Sequence, residues 1–156
     1  MRKLGIIGGM SWVSTASYYE RINRSIQKRS APMTSAPLLI ESLDFRALHA
    51  LREAHDWKRA AGVLSESARR LEGAGAQGLI IGANSMHRLY DEVAAAVSIP
   101  ILHIAEYVGL AMQRSGATRA ALLGTRNVMT ESFYRKRLVA HGIDLLPPTL
   151  DFVEML

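Results

Sequence analysis

Residues 78–89 read GLIIGANSMHRL, a short apolar run that stops at a small polar loop, Asn84-Ser85, ahead of Met86 and His87. Such a run, bounded by glycine, predicts a buried strand. A buried strand that ends in a polar loop is how a parallel sheet presents its ligand sites, outside the carboxyl ends of its strands. Similar runs lie on both sides: KLGIIGG (3–9), APLLIESLD (36–44), PILHI (100–104), TRAALLGT (118–125) and IDLLPP (143–148). Between them the sequence turns helical. Trp12, Tyr18, Tyr19 and Ile22 recur at helical intervals after a cap at Ser11 or Ser14. Trp57 to Glu72 repeats small and apolar residues at three-four spacing before Gly73 and Gly75. HRLYDEVAAAV (87–97) is stopped by the Ile99-Pro100 step, AEYVGLAMQRSG (105–116) closes at Gly116, and VMTESFYRKRLVAHG (128–142) closes at Gly142.

Strands and helices therefore alternate with short connections. The expected fold is α/β: an open, mostly parallel sheet with helices on both faces and right-handed crossovers. KLGIIGG and its Ser/Thr-rich helix start are echoed by RAALLGT and RNVMTESFYRKRL. The echo predicts an α/β domain over 1–117 and the beginning of a second, similar domain, truncated, over 118–156. The tail TLDFVEML (149–156) reads either as an interrupted fold or as a docking helix.

The composition, 49% hydrophobic with 21% charged residues, is that of a globular chain. No run approaches the roughly 18 apolar residues of a membrane span. The start is short and glycine-broken, with no cleavage site, so a cytoplasmic location is expected. The net charge is +5. Its positives fall in short groups, such as Arg21, Arg24, Lys28 and Arg29, with no interleaved aromatics and no nucleic-acid-reading motif. They read as solvated faces or a preference for small anions, not as a nucleic-acid footprint. Cysteine is absent, which removes disulfides, thiolate metal sites and thiol nucleophiles together. The five histidines form neither an i, i+4 pair nor a carboxylate cluster, so no metal is expected.

Three loops are candidates for chemistry. Gly8 to Trp12 (GGMSW) is either a nest of backbone N–H groups for a carboxylate or phosphate, or a tight turn needing backbone freedom. It has neither dinucleotide nor P-loop spacing. In GANSMH, Asn84 and Ser85 serve as ligand contacts, as caps, or both, and His87 reads as a packed or capping histidine. In Gly124 to Asn127, Thr125 and Arg126 are placed to reach an acidic ligand, although Arg126 also suits open solvent. No G-x-S-x-G nucleophile elbow occurs.

Taken in order, GIIGGMSWVSTASYYERIN, LDF, GANSMHRL, ILHIAE and ALLGTRNVMTESFYRKRL resemble the aspartate/glutamate racemase family, in its broad-specificity amino-acid racemase branch. The resemblance runs from Met1 to about Gly142. It implies two similar flavodoxin-like α/β domains with the active site in the cleft between them, and no pyridoxal phosphate, metal or nucleotide. It implies an isomerase that removes the α-proton of a small acidic amino acid and returns one from the opposite face, with a base near each face.

Carried over position by position, the first acid/base slot falls on Ala83, where the family has cysteine or, in some members, threonine. Asn84 and Ser85 match the substrate contacts after it, Ser standing for the usual Thr. Met10 matches a substrate contact of the first loop, Arg52 a polar contact for the side-chain carboxylate, and Thr125 joins the candidate binding residues. The second-domain cysteine has no counterpart in the sequence. The resemblance thus implies a racemase-family protein, weak or inactive as this chain. The alternative is a non-catalytic binding or regulatory module for acidic amino acids, and a third reading is an unrelated small-anion or nucleotide-binding α/β protein. The unsatisfied strand of a half-built second domain adds an expectation of homo-oligomers.

Overall fold

The computed structural model describes residues 1–147. The tail at 149–156 lies outside the described residues. Two compact units divide the chain: Met1–Ala83 with Leu89–Leu102, and Asn84–Arg88 with the chain from His103 onward.

The first unit is a parallel sheet flanked by helices. Strands β1 (Leu4–Gly8), β2 (Leu38–Ser42), β3 (Leu79–Ile81) and β4 (Ile101–Leu102) lie in the order β2-β1-β3-β4, every pair parallel. Helix α1 (Trp12–Arg29) connects β1 to β2. Helices α2 (Phe45–Glu53) and α3 (Trp57–Gly73) connect β2 to β3, and α4 (Tyr90–Ala94) lies between β3 and β4. Right-handed crossovers put α1 on one face of the sheet and α3 and α4 on the other. The apolar runs explain the centre: Ile6, Ile7 and Leu79 have no exposed surface, nor do Ala60, Leu64 and Ala68 of α3. Each fully buried Ile or Leu contributes on the order of 1.5–3 kcal/mol.

The second unit packs α5 (Ile104–Ser115) and α7 (Ser132–Ala140) around Ala105, Val128, Tyr134, Leu138 and Ile143. Helix α6 (Arg126–Thr130) precedes α7, and strands β5 (Arg119–Ala120) and β6 (Asp144–Leu145) form a separate parallel pair. At the end of α5 Gly116 takes φ +74°, and the Ala117 N–H reaches back to the Met112 carbonyl at 3.0 Å, closing the helix as its glycine predicts.

Four elements differ from the pattern read in the sequence. Helix α2 is an addition to the pattern read in the sequence: a nine-residue helix with Leu48 buried, started by the Asp44 cap, whose carboxylate accepts the Arg46 N–H at 2.9 Å. The helix expected over 87–97 begins as a 3₁₀ turn, Ser85–Leu89. The helix expected over 128–142 breaks at Glu131, which is extended (φ −84°, ψ 157°). There the Thr130 hydroxyl bonds back to the Arg126 carbonyl at 2.8 Å, and the Glu131 carboxylate meets Arg88 at 2.5 Å. The strand expected over 118–125 shortens to two residues because β6 is its partner over just that length, and Leu123 stays exposed.

Candidate active site

In the order β2-β1-β3-β4 the connections diverge between β1 and β3, and the carboxyl ends of these strands are where open parallel sheets bind ligands. Three loops leave this end of the sheet side by side. The Gly82 N–H donates to the Ile7 carbonyl at 2.8 Å and the Leu43 N–H to the Gly8 carbonyl at 3.0 Å. The approach is close: Gly9 has φ +85°, and a Cβ there would stand 2.1 Å from the Leu43 carbonyl oxygen. Glycine is required here for both backbone conformation and space.

The GGMSW loop is also held from within. Thr15, buried, accepts the Gly9 N–H at 2.9 Å and donates to the Ser11 carbonyl at 3.2 Å. The Ser11 hydroxyl accepts the Val13 N–H at 3.1 Å, so Ser11 is the helix cap. The Gly9 N–H is thus committed to Thr15, and for Gly9 the tight-turn reading holds. Met10 is buried between these anchors in sequence.

Ala83 follows directly on Gly82 at the end of β3, so a methyl group stands at the head of the loop. Asn84 is exposed and Ser85 half-buried. Among the described residues neither side chain makes a hydrogen bond or caps the 3₁₀ turn, whose first bond runs from the His87 N–H to the Asn84 carbonyl at 3.2 Å. The capping duty open to them in the sequence is not taken up.

His87 is 1% exposed, and its Nε2 accepts the Ile104 N–H at 3.2 Å. Its ring meets that of His103 edge to face, centroids 4.6 Å apart. His103 is the cap of α5, its Nδ1 accepting the Ala105 N–H at 3.2 Å. A ring nitrogen that accepts a backbone N–H carries no proton, so the neutral forms are Nδ1–H for His87 and Nε2–H for His103. Burial, then the neighbouring His87 and Arg137, push His103 down to about 3. Below it, the Glu106 carboxylate accepts from Arg137 at 2.7 Å and pairs with His141 Nε2 at 2.6 Å. Those two bonds hold Glu106 below the usual carboxylate range. His141 is seated against Gly109, where a Cβ would stand 2.4 Å from the ring.

The remaining predicted residues lie apart from these loops in the chain. Arg52 is on the last turn of α2, donating to His49 Nε2 at 2.8 Å and to Glu53 at 3.2 Å. Thr125, exposed, stands at the cap position of α6 without a side-chain cap bond, and Arg126 is exposed. The second-unit network of His103, Glu106, Arg137 and His141 was not read as part of a site. Its one sequence signal is a histidine just before a helix start in ILHIAE. Among the described residues no group of three His, Cys, Asp or Glu side chains is placed to hold a metal ion, and no helix is long and apolar enough to cross a membrane.

The family model for Asp/Glu/hydantoin racemases matches residues 7–156. The chain belongs to this family. A curated relative, the broad specificity amino-acid racemase RacX of Bacillus subtilis (strain 168), is 26% identical over 146 residues, 92% of this chain and 63% of that protein. The chain thus spans less than two thirds of that relative's length. Its fold is that of family members: a crystal structure of an Asp/Glu racemase candidate from Yersinia pestis superposes with TM-score 0.92 at 39% identity, covering 99% of this chain and 67% of that one. An aspartate racemase homologue from Pyrococcus horikoshii OT3 gives TM-score 0.87 at 30% identity, covering 99% and 68%.

Proposed function

We propose that the chain carries the substrate loop of an amino-acid racemase without its proton-transfer group, and binds small acidic amino acids with little or no turnover. The observation that carries this reading is Ala83 at the head of the loop, followed by Asn84 and Ser85, whose side chains make no hydrogen bond among the described residues. Racemisation needs a group at each face of the α-carbon that gives and takes a proton, and a methyl group does neither. Asn84 and Ser85 have the donors and acceptors to hold an amino acid's carboxylate and ammonium groups. His87 and His103 make poor substitutes as bases, since each is buried and already accepts a backbone N–H. Met10, Arg52 and Thr125 are further candidate contacts, Arg52 with charge suited to a side-chain carboxylate. The proposal uses no pyridoxal phosphate, metal or nucleotide.

The test is α-proton exchange in heavy water, followed by NMR, with each enantiomer of aspartate and glutamate. No exchange is expected from the native chain, and exchange of any one overturns the loss of function, with Ser85 the nearest group to suspect. Ala83→Thr and Ala83→Cys are expected to introduce exchange of one enantiomer if Ala83 occupies the slot. Calorimetric binding without exchange is the outcome this reading expects, and a non-catalytic binding or regulatory module, the second reading, gives the same result. Self-association belongs to the same proposal: Trp12, Val13 and Tyr19 leave apolar area exposed on α1. A monomeric mass in sedimentation at high concentration would remove it.

A further inference from the structure

Asn84 and Ser85 emerge from β3 of the first unit, yet they belong with Met86, His87 and Arg88 to the second. The ties are specific. The His87 N–H donates to the Asn84 carbonyl at 3.2 Å, while its ring Nε2 accepts the Ile104 N–H at 3.2 Å. One residue thus holds the loop backbone with its main chain and the start of α5 with its side chain. The ring is 1% exposed and braced edge to face by His103, 4.6 Å away, itself fixed by the Ala105 N–H. Next along the chain, Arg88 pairs with Glu131 at 2.5 Å. Among the described residues the Asn84 and Ser85 side chains, by contrast, have no hydrogen bonds of their own to hold them.

We infer that His87 is the positioning residue of the substrate loop, its Nε2 acceptor on the Ile104 N–H fixing the direction in which Asn84 and Ser85 are presented. This rests on the reading of that loop as a substrate site. A ring that accepts at Nε2 must carry its proton on Nδ1, so a replacement works here only if it places an acceptor at the Nε2 position. Glutamine reaches that point with its amide oxygen. Asparagine falls short, reaching the Nδ1 position, and leucine fills the volume without an acceptor.

The experiment compares His87→Gln, His87→Asn and His87→Leu with the native chain, well below each protein's unfolding temperature. The first readouts need no ligand: hydrogen exchange of the Ile104 amide and the side-chain amide resonances of Asn84. The third is calorimetric affinity for L- and D-aspartate and L- and D-glutamate. Expected in His87→Gln are native Ile104 protection, native Asn84 signals and affinity within about twofold. Expected in His87→Leu and His87→Asn are a fast-exchanging Ile104 amide, shifted or broadened Asn84 signals, and about tenfold weaker affinity, the equivalent of one lost hydrogen bond. If His87→Leu does not fold, the Gln and Asn variants make the same comparison. Native Asn84 signals in His87→Leu or His87→Asn overturn the inference, whatever the change in unfolding temperature; so does undiminished affinity. A native chain that binds none of the four amino acids sinks the substrate reading instead, while the two ligand-free readouts still decide the role of His87.

Discussion

The two units solve the same local problem, holding a loop at the end of a strand or the start of a helix, with different chemistry. In the first, backbone does it. Gly9 and Gly82 bring main chain against main chain, and a single hydroxyl, Thr15, closes the turn. In the second, polar side chains do it: His87 on Ile104, His103 on Ala105, Arg88 on Glu131, and Glu106 between Arg137 and His141. The sheet explains the difference. Four paired strands with closed faces supply carbonyls and N–H groups in fixed register, whereas β5 and β6 pair over two positions. A unit with so short a ladder has to order its loops through side chains. The first unit should then be sensitive to side-chain volume added beside its backbone, and the second to pH.

The sharpest way to break this comparison is Gly9→Ala. The new methyl meets the Leu43 backbone at 2.1 Å, in a conformation with φ +85°, and β2 cannot yield without losing its register with β1. A destabilisation of more than about 3 kcal/mol in urea unfolding is expected; a loss below about 1 kcal/mol would show the loop contact to be soft.

The second unit answers to acid. His103 lies far below its ordinary 6.5, at about 3, so between those values the unfolded chain binds the more protons. Its contribution is complete above about 6.5 and is lost as the pH falls through that window, by about 2 kcal/mol at pH 5. The other charges facing it are Arg137 and Glu106, with His87 alongside. Glu106 is held below the carboxylate range and keeps its charge at pH 5. His103→Asn keeps an N-cap acceptor and removes the titration, so its unfolding free energy should fall by about 2 kcal/mol less between pH 7 and pH 5 than that of the native chain. Equal losses would move the acid sensitivity elsewhere.

Thr15→Val leaves the Gly9 N–H unpaired in a buried turn and should cost about 1–2 kcal/mol with little change in burial. The smallest effect is the control. Arg24 pairs with Glu20 on the solvent side of α1, both side chains more than half exposed, and Arg24→Ala should change stability by less than about 0.5 kcal/mol.

How much of this was legible depended on whether a residue's role is local. The strands showed as apolar runs because Ile6, Ile7, Leu79 and Ile81 are buried in the core of their unit. Caps such as Ser11 and closing glycines such as Gly116 act within one turn, and were readable for that reason. Helix α2 escaped because, at nine residues, it falls short of the length at which a helical pattern stands out, although Phe45, Leu48 and Leu51 recur at three-residue spacing. The break at Glu131 escaped because its partner, Arg88, lies 43 residues away.

By itself the sequence determined the parallel α/β architecture, the family, and the alanine at residue 83. Each is a matter of residue order and type, which folding does not alter. The tertiary structure alone decided that Asn84 and Ser85 carry no capping duty, that the Gly9 N–H is taken by Thr15, and that His87 is committed to Ile104. Those facts are hydrogen bonds among groups with several possible partners, and packing, not sequence spacing, chooses which of them a buried donor or acceptor will meet.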